Sequence, residues 1–511
     1  MTRRITFPSL LAALLMALVA GCRQEAPELA VRWHSVGADG LRSPASAPAL
    51  RSLLAHSNAP VLAERLRAKA TRAALEWLVA GSPAADATVA QAQPLMADLL
   101  DHESAGEVWR RADGAREVFV AVRITAERAP LWNDRFPVLL KPAAAGLGGA
   151  WVSAEKGWLF AAIPADSPRA AAFRSRVLGS AANVSRLLDL ETASGAFPGL
   201  RAVAMATNGS VVWSGTLIQP GLPELKLDPW QYPTNTIYDP LVSLTAVRGV
   251  SPQILSMLGL ERHFQGQEIG QMYQWAQQES PFQTYAVVHV SQPAKVLESV
   301  NTELTGQYST NSEPGKRDGL VMYDPAKQIL GLSCAPGPVP MLTGTENRGP
   351  GFLGFSMFRR QRSVQPLPGE LLQQLQQPGL VFYDWEITSE NFNHWWANLQ
   401  VRDISLGLRP APGDGPASHW LTDSLAKVDN TVTQVRQTGP GTFLWTRKAP
   451  AGLTAFEWVM LGRWLDPALP RGTRVQRAVR SGSPTAVPMG LPEAPPAKAA
   501  SKPATAPKPK P

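Results

Sequence analysis

Apolar and polar residues alternate in short stretches along this chain, and most stretches lead into apolar residues at helical spacing. In residues 107–124 the alternation runs on both sides of an Asp-Gly pair, which predicts a β-hairpin. Residues 150–163 and 202–213 predict two more hairpins, with Lys-Gly and Asn-Gly at their turns. A Ser-Pro pair then begins a predicted helix over 168–179, because Pro suits the first helical position.

The second half of the chain repeats this succession of strands and helices. Residues 285–304 and 380–399 each predict a strand that runs into a helix, with Ser in the first helical turn or just before it. A last hairpin is predicted over 431–446 and a last helix over 454–465. Hairpins with helices between them favour an α+β fold. We therefore expect antiparallel sheets built from β-hairpins, with helices packed on one face, in two similar domains.

Composition divides the chain into segments. Residues 228–236 are rich in Pro, Asn and aromatic side chains and lack periodicity, which favours a domain boundary there. The end of the chain consists mainly of Pro, Ala and Lys and cannot bury enough apolar area to fold. The predicted organisation is a leader over 1–21, a linker over 22–27, α+β domains over 28–235 and 236–475, and a disordered tail over 476–511.

The first residues have the pattern of an export signal. Arg3 and Arg4 precede an apolar run over 10–20, and small residues then lead to a cysteine in Val19-Ala20-Gly21-Cys22. This segment resembles a bacterial lipoprotein signal with its lipobox. The resemblance implies that the leader is removed before Cys22 and that Cys22 carries lipid as the first residue of the mature chain.

The lipobox also implies a location. The alternatives are an ordinary leader with an incidental cysteine, or a transmembrane anchor, for which the apolar run is short. Residue 23 is Arg, whereas Asp at that place retains enterobacterial lipoproteins at the inner membrane. We therefore expect a lipid-anchored envelope protein, at the outer membrane and facing the periplasm if the cell is Gram-negative.

Charge and cysteine content restrict the partners. The net charge of +8 includes two leader arginines and a net three charges in the tail from 484 onward, so the folded part carries about +3. That small excess on a large exported body argues against a nucleic-acid partner. If Cys22 carries lipid, Cys334 has no intramolecular partner, and we expect it to be buried and inert. The seven histidines match no metal-ligand spacing, and we predict no cofactor.

The most interesting candidate for chemistry is a pair of carboxylates. Asp384 and Glu386 lie two residues apart on a predicted strand, so both side chains share one face while Trp385 points to the other. Glycosidases use two such carboxylates, and the aromatic residues Tyr383, Trp385, Trp395 and Trp396 could then support a sugar. The structural alternative is a solvated or Arg-paired strand face, and the chitinase-like acidic pattern is not met.

Other catalytic patterns are weaker. Ser153 and Lys156, and likewise Ser424 and Lys427, match the S-x-x-K spacing of penicillin-binding enzymes, but no K-T-G follows. Ser153 also falls in a predicted hairpin, where Lys156 would not lie beside it. Residues 354–358 lack the second glycine of a nucleophile elbow and favour a strand.

Three segments, over 239–249, 383–388 and 452–457, resemble parts of large exported bacterial proteins to which no activity is assigned. That resemblance transfers no site residues. The sequence therefore predicts a membrane-anchored, non-enzymatic binding or organising lipoprotein with an envelope protein or glycan as partner. The alternative is an envelope glycan hydrolase that uses Asp384 and Glu386.

Overall fold

A computed structural model describes most of the body of the protein. The described residues are 28–43, 46–78, 83–140, 148–180, 185–192, 199–207, 209–232, 237, 240–257, 260–277, 284–311, 316–333, 341–344, 351–356, 366–405 and 415–466. The predicted lipidation site Cys22, the predicted buried Cys334, the turn residue Asn208 and the tail lie outside them. No helix in these ranges combines the length and hydropathy needed to cross a bilayer.

Helices occur throughout both halves of the described chain. They are α1 (Gly37–Arg42), α2 (Pro48–Ala55), α3 (Ala59–Leu78), α4 (Asp86–Asp101), α5 (Ala129–Leu140), α6 (Pro168–Gly179), α7 (Ser251–Met257), α8 (Pro293–Gln307), α9 (Gly369–Leu375), α10 (Thr388–Ser405), α11 (Pro416–Leu425) and α12 (Ala455–Leu465).

The strands of the first half lie before residue 220. They are β1 (Glu28–Ser35), β2 (Ser104–Arg110), β3 (Arg116–Val122), β4 (Trp151–Glu155), β5 (Trp158–Ile163), β6 (Arg186–Thr192), β7 (Gly199–Thr207) and β8 (Ser210–Ile218).

The strands of the second half follow. They are β9 (Leu241–Arg248), β10 (Ile269–Gln277), β11 (Thr284–Val290), β12 (Tyr308–Ser309), β13 (Arg317–Asp318), β14 (Leu320–Asp324), β15 (Ile329–Ser333), β16 (Met341–Gly344), β17 (Phe352–Ser356), β18 (Leu380–Ile387), β19 (Asn430–Gly439) and β20 (Thr442–Ala449).

Eighteen of these strands form one continuous sheet. The pairings are antiparallel and give the spatial order β4-β5-β3-β2-β1-β6-β7-β8-β20-β19-β18-β9-β10-β11-β17-β16-β15-β14. The short strands β12 and β13 pair separately in parallel. The predicted α+β class with antiparallel hairpins is confirmed.

The two halves of the chain share one strand topology. The order β4-β5-β3-β2-β1-β6-β7-β8 is matched in the second half by β16-β17-β11-β10-β9-β18-β19-β20, and β14–β15 is an additional hairpin at the far edge. Equivalent last strands, β8 and β20, pair antiparallel with each other, which relates the halves by an approximate two-fold axis. The similarity of the halves therefore lies in strand order, while the sheet crosses between them without a break.

Helices cover both faces of the sheet, and here the expectation of a single covered face is wrong. On β3, Val118 and Val120 pack with α3, α4 and α5, whereas Phe119 between them packs with α6 on the other side. In the second half, α9 occupies the same side as α6 and packs on Tyr273 and Trp275. We call the side of the sheet that carries α6 and α9 the open face. On this side, the central strands β7, β8 and β20 are exposed at alternate positions such as Arg201 and Leu444.

Local signals explain where several elements begin. Ser167 precedes α6 and its hydroxyl accepts a hydrogen bond from the backbone N–H of Arg169, as the Ser-Pro pair predicts. Thr454 precedes α12 and forms a reciprocal capping box with Glu457. The predicted hairpins over 107–124, 150–163 and 431–446 are confirmed as β2–β3, β4–β5 and β19–β20.

Candidate functional site

The two predicted carboxylates lie on the same face of β18, as their spacing requires. Asp384 pairs in register with Thr433 of β19, and Glu386 pairs with Thr431. Both point to the side of α10 and α12, opposite the open face, while Trp385 packs against the aromatic core of the open face. Tyr383 also points to that core and is almost fully buried, so neither aromatic residue can support a sugar beside the carboxylates.

Glu386 is enclosed by helix ends. Its Oε1 accepts a 2.7 Å hydrogen bond from the backbone N–H of Ala455, the first residue of α12, and its Oε2 accepts one of 2.6 Å from Asn391 Nδ2. Thr388 Oγ1 also lies 3.3 Å from Oε1. Only 2% of Glu386 is exposed. The carboxyl therefore caps the N-terminus of α12, where a negative charge is favourable.

Asp384 is half-buried beside this network. Thr245 on β9 donates a 2.6 Å hydrogen bond to its Oδ1, and the neighbouring Arg447 is held by Glu457 in a two-pronged pair of 2.7 and 3.1 Å. Burial raises the pKa of Asp384, although Thr245 and Arg447 oppose that shift. Burial and the nearby Asp384 raise the pKa of Glu386 still further above its ordinary value.

Raised carboxyl pKa values are common at active sites, but a substrate must also be able to reach the carboxyl group. Trp395 packs edge-on against Phe456 with ring centroids 4.5 Å apart, and Trp396 packs on Phe392 at 5.8 Å. Both tryptophans are half-buried in the core of α10, α11 and α12, so neither is an open platform for a sugar. A substrate could reach Glu386 only if α12 moved. The hydrogen bonds of Glu386 instead hold the first residue of α12 against the sheet.

The remaining sequence candidates do not assemble a catalytic group. Ser153 lies on β4, and Lys156 sits in the following turn with a positive φ of 49°, so the two are not on one helical face. In the described ranges, no group of three or more His, Cys, Asp or Glu side chains is placed to hold a metal ion. His34, His56 and His102 each lie within 3.2 Å of one carboxylate oxygen.

A different place in the first half combines a cavity with charged side chains. A cavity of about 550 Å³ opens on the open face between α6 and the strands β1, β2, β6 and β7. Its size falls within the usual range of small-molecule sites. We call it the arginine pocket, since five guanidinium groups line it, those of Arg32, Arg123, Arg176, Arg186 and Arg201.

Glu107 forms the floor of the arginine pocket. The residue is 1% exposed, and its Oε1 contacts both Arg32 Nε at 2.6 Å and Arg176 Nη1. Trp109 Nε1 donates a 3.0 Å hydrogen bond to the other oxygen. Two guanidinium groups therefore converge on one buried carboxylate. Burial and the neighbouring Arg32 lower the pKa of Arg176 from its ordinary value.

A second carboxylate orders the side of the pocket next to β2. Glu103 lies 3.0 Å from His34 Nε2 and 2.9 Å from Arg123 Nη1. The hydrogen bond with His34 and the charge of Arg123 lower the pKa of Glu103, against the effect of its partial burial. Arg123 also stacks over the ring of Trp158 at 5.3 Å. These contacts hold the guanidinium of Arg123 in place at the pocket wall without a ligand.

The same position in the second half is filled. There the side chains of Tyr273 and Trp275 pack under α9, and Trp230 and Tyr232 cover Tyr273 at 5.8 and 6.2 Å. An arginine at this place, Arg248, is buried and donates to the carbonyls of Leu380 and Asp228, each at 2.7 Å. Equivalent topology thus gives an aromatic core in one half and a charged cavity in the other.

Sequence reasoning missed the arginine pocket because no local motif marks it. Arg32, Glu107, Arg176 and Arg201 are separated by tens of residues and meet only when β1 inserts between β2 and β6. The available signal was a pair of polar residues, Arg32 and His34, that alternate with the apolar residues Val31 and Trp33 in β1. Comparison with protein-family models, with curated proteins and with solved structures finds no match to this chain.

Proposed function

We propose that this protein is a lipid-anchored binding protein of the bacterial envelope, and that it binds its ligand in the arginine pocket. In this proposal the anchor is lipid on Cys22, and the binding site lies in the first half of the body. In a Gram-negative cell the body would face the periplasm from the outer membrane. The protein then acts by binding and not by catalysis, and Asp384 and Glu386 help to hold α12 on the sheet.

The observation that carries the proposal is the contrast between the halves. The first half keeps an open cavity lined by charged side chains at the place that the second half fills with Trp230, Tyr273 and Trp275. Buried charges cost free energy unless they are paired, so a fold gains nothing in stability by replacing an aromatic core with guanidinium groups. Such a replacement is the expected arrangement where a ligand is bound.

The anchor is tested by metabolic labelling with an alkyne analogue of palmitate. The wild-type chain should incorporate the label and sediment with membranes, and Cys22→Ala should do neither. Cys334→Ala is the matched control, because it removes the only other cysteine and should leave labelling intact. Equal labelling of Cys22→Ala and wild type would contradict the lipid anchor.

The binding site is tested with a photo-crosslinking amino acid introduced in intact cells. At position 156, on the pocket rim, it should give an adduct with a defined added mass. At position 448, an exposed site on the same face of β20, it should give none. Equal adducts at both positions, or none at 156, would contradict binding in the arginine pocket.

The alternative function, glycan hydrolysis at Glu386, requires a movement of α12. A glycan could reach Glu386 only after α12 leaves the Ala455–Glu386 contact of 2.7 Å. Loss of glycan cleavage in Glu386→Gln with the fold intact, measured on isolated cell-wall material, would favour the hydrolase over the binding protein.

A further inference from the structure

The charges around the arginine pocket do not balance. Six cationic side chains line it, the five arginines and Lys156, against four carboxylates at Glu103, Glu107, Asp189 and Glu191. The surplus is two positive charges, without counting His34. A surplus of like charge in a cavity with low-dielectric walls concentrates counter-ions there. The cavity therefore attracts anions.

The surplus belongs to identifiable groups. Within the described part of the chain, Lys156 and Arg201 form no ion pair, and both are exposed at the rim. Arg186 binds Asp189 at 3.1 Å through Nη1, while its buried Nε has no hydrogen-bond partner among the described residues. These three groups have donors free for a ligand, Arg186 and Arg201 from the side of β6 and β7, and Lys156 from the turn between β4 and β5.

The opposite side of the pocket is already ordered. Arg32 is held between Glu107 at 2.6 Å and Glu191 at 2.8 Å, and Arg176 also contacts Glu107. A guanidinium group presents five N–H donors in a fixed plane. When one or two of them bind carboxylates, the remaining N–H groups can donate to a ligand. Ordered donors bind an oxyanion without a large loss of side-chain freedom.

We infer that the arginine pocket binds a small ligand with at least two negative charges, carried as phosphate or carboxylate groups. The inference rests on the proposed function, in that it names the ligand class of the same site. One anionic group meets Arg32 and Arg176 above Glu107, and a second meets Arg186 or Arg201. The partly apolar wall formed by Phe173 and Val177 of α6 accommodates the rest of the ligand.

Isothermal titration at constant ionic strength tests the ligand class, with the full chain in detergent and with pyrophosphate and glutarate as probes. The wild type should bind at least one of them, and Lys156→Gln/Arg201→Gln should weaken that binding about tenfold or more. Lys448→Gln removes one positive charge from the same face outside the pocket and should change affinity less than twofold. Binding of pyrophosphate alone would identify phosphate, and binding of glutarate alone would identify carboxylate.

Two results would overturn the inference. One is absence of binding by both probes to the wild type. The other is equal weakening in the double variant and in Lys448→Gln, which would show unspecific attraction. Neither result alone removes the proposed function, because an adduct at position 156 in cells would still show a ligand of another class in the pocket.

Discussion

Arg32 donates a 2.6 Å ion-paired hydrogen bond from Nε to the buried carboxylate of Glu107, and this contact joins β1 to β2 at the floor of the arginine pocket. Because Arg176 of α6 reaches the same carboxylate, Glu107 also fixes α6 over the sheet. One acidic side chain thus supports the fold and limits the positive charge of the cavity.

Replacing Glu107 separates these two effects. Glu107→Gln leaves Arg32 and Arg176 close together without their shared counter-charge, and we expect the free energy of unfolding to fall by about 2 to 3 kcal/mol. The same change should increase the affinity of the pocket for pyrophosphate or glutarate, because the surplus positive charge grows. Urea unfolding and titration measure the two effects. Unchanged stability would contradict the assigned contacts of Glu107.

Gly106, beside Glu107 on β2, has no room for a side chain. A methyl group there would lie 2.1 Å from the ring of Trp33 on the adjacent strand. We expect Gly106→Ala to lower the free energy of unfolding by about 1 to 3 kcal/mol through overpacking. Trp33→Leu should offset most of that loss in the double variant, since it removes the ring. Additive losses in the double variant would contradict the predicted contact.

The Asp384–Glu386 network predicts a dependence of stability on pH. The pKa of Glu386 is raised in the folded state above its ordinary value of 4.5, so its contribution to stability is complete below that value and is lost as the pH rises through the raised pKa. Asp384 acts in the same direction. We expect these two groups to lower the stability of the wild type as the pH rises from about 4 to about 8.

Glu386→Gln should reduce that pH dependence, because an amide of the same shape carries no charge. It keeps an oxygen for the N–H of Ala455, and Asn391 can turn its own oxygen to the new amide. We expect the free energy of unfolding at neutral pH to change by less than about 1 kcal/mol. Urea midpoints across the pH range give the comparison, and an unchanged pH profile would contradict the raised pKa.

Arg447 and Glu457 hold α12 from the other side. Arg447 is 6% exposed, and it also donates to Thr433 at 2.9 Å. Arg447→Met should lower the free energy of unfolding by about 3 kcal/mol, because Glu457 loses its partner in a crowded acidic network. Adding Glu457→Gln should recover part of that loss. The double-mutant cycle measures the coupling free energy between Arg447 and Glu457. A coupling near zero would contradict the role of this pair in holding α12 on the sheet.

The parts of the structure that sequence patterns predicted are local. Alternation and turn residues predicted β2–β3, β4–β5 and β19–β20, and capping residues predicted the starts of α6 and α12. The spacing of Asp384 and Glu386 correctly predicted a shared face. Each of these follows from interactions between residues close together in the chain.

What the sequence could not reveal depends on distant pairing. Nothing local indicates that β1 lies between β2 and β6, or that β8 pairs with β20 and continues one sheet through both halves. Helices on both faces follow from that arrangement, as does the meeting of Arg32, Glu107 and Arg176. No motif therefore marks the arginine pocket, whereas the carboxylate pair is visible in the sequence and its Glu386 proves to be enclosed.

Native mass spectrometry of the protein released from its own membranes tests the central claim most directly. The wild type and Lys448→Gln should each carry one small ligand of the same added mass. Lys156→Gln/Arg201→Gln, which removes the two pocket cations that form no ion pair among the described residues, should carry none while remaining folded by circular dichroism. Ligand-free wild type, or the same added mass on all three proteins, would contradict binding in the arginine pocket.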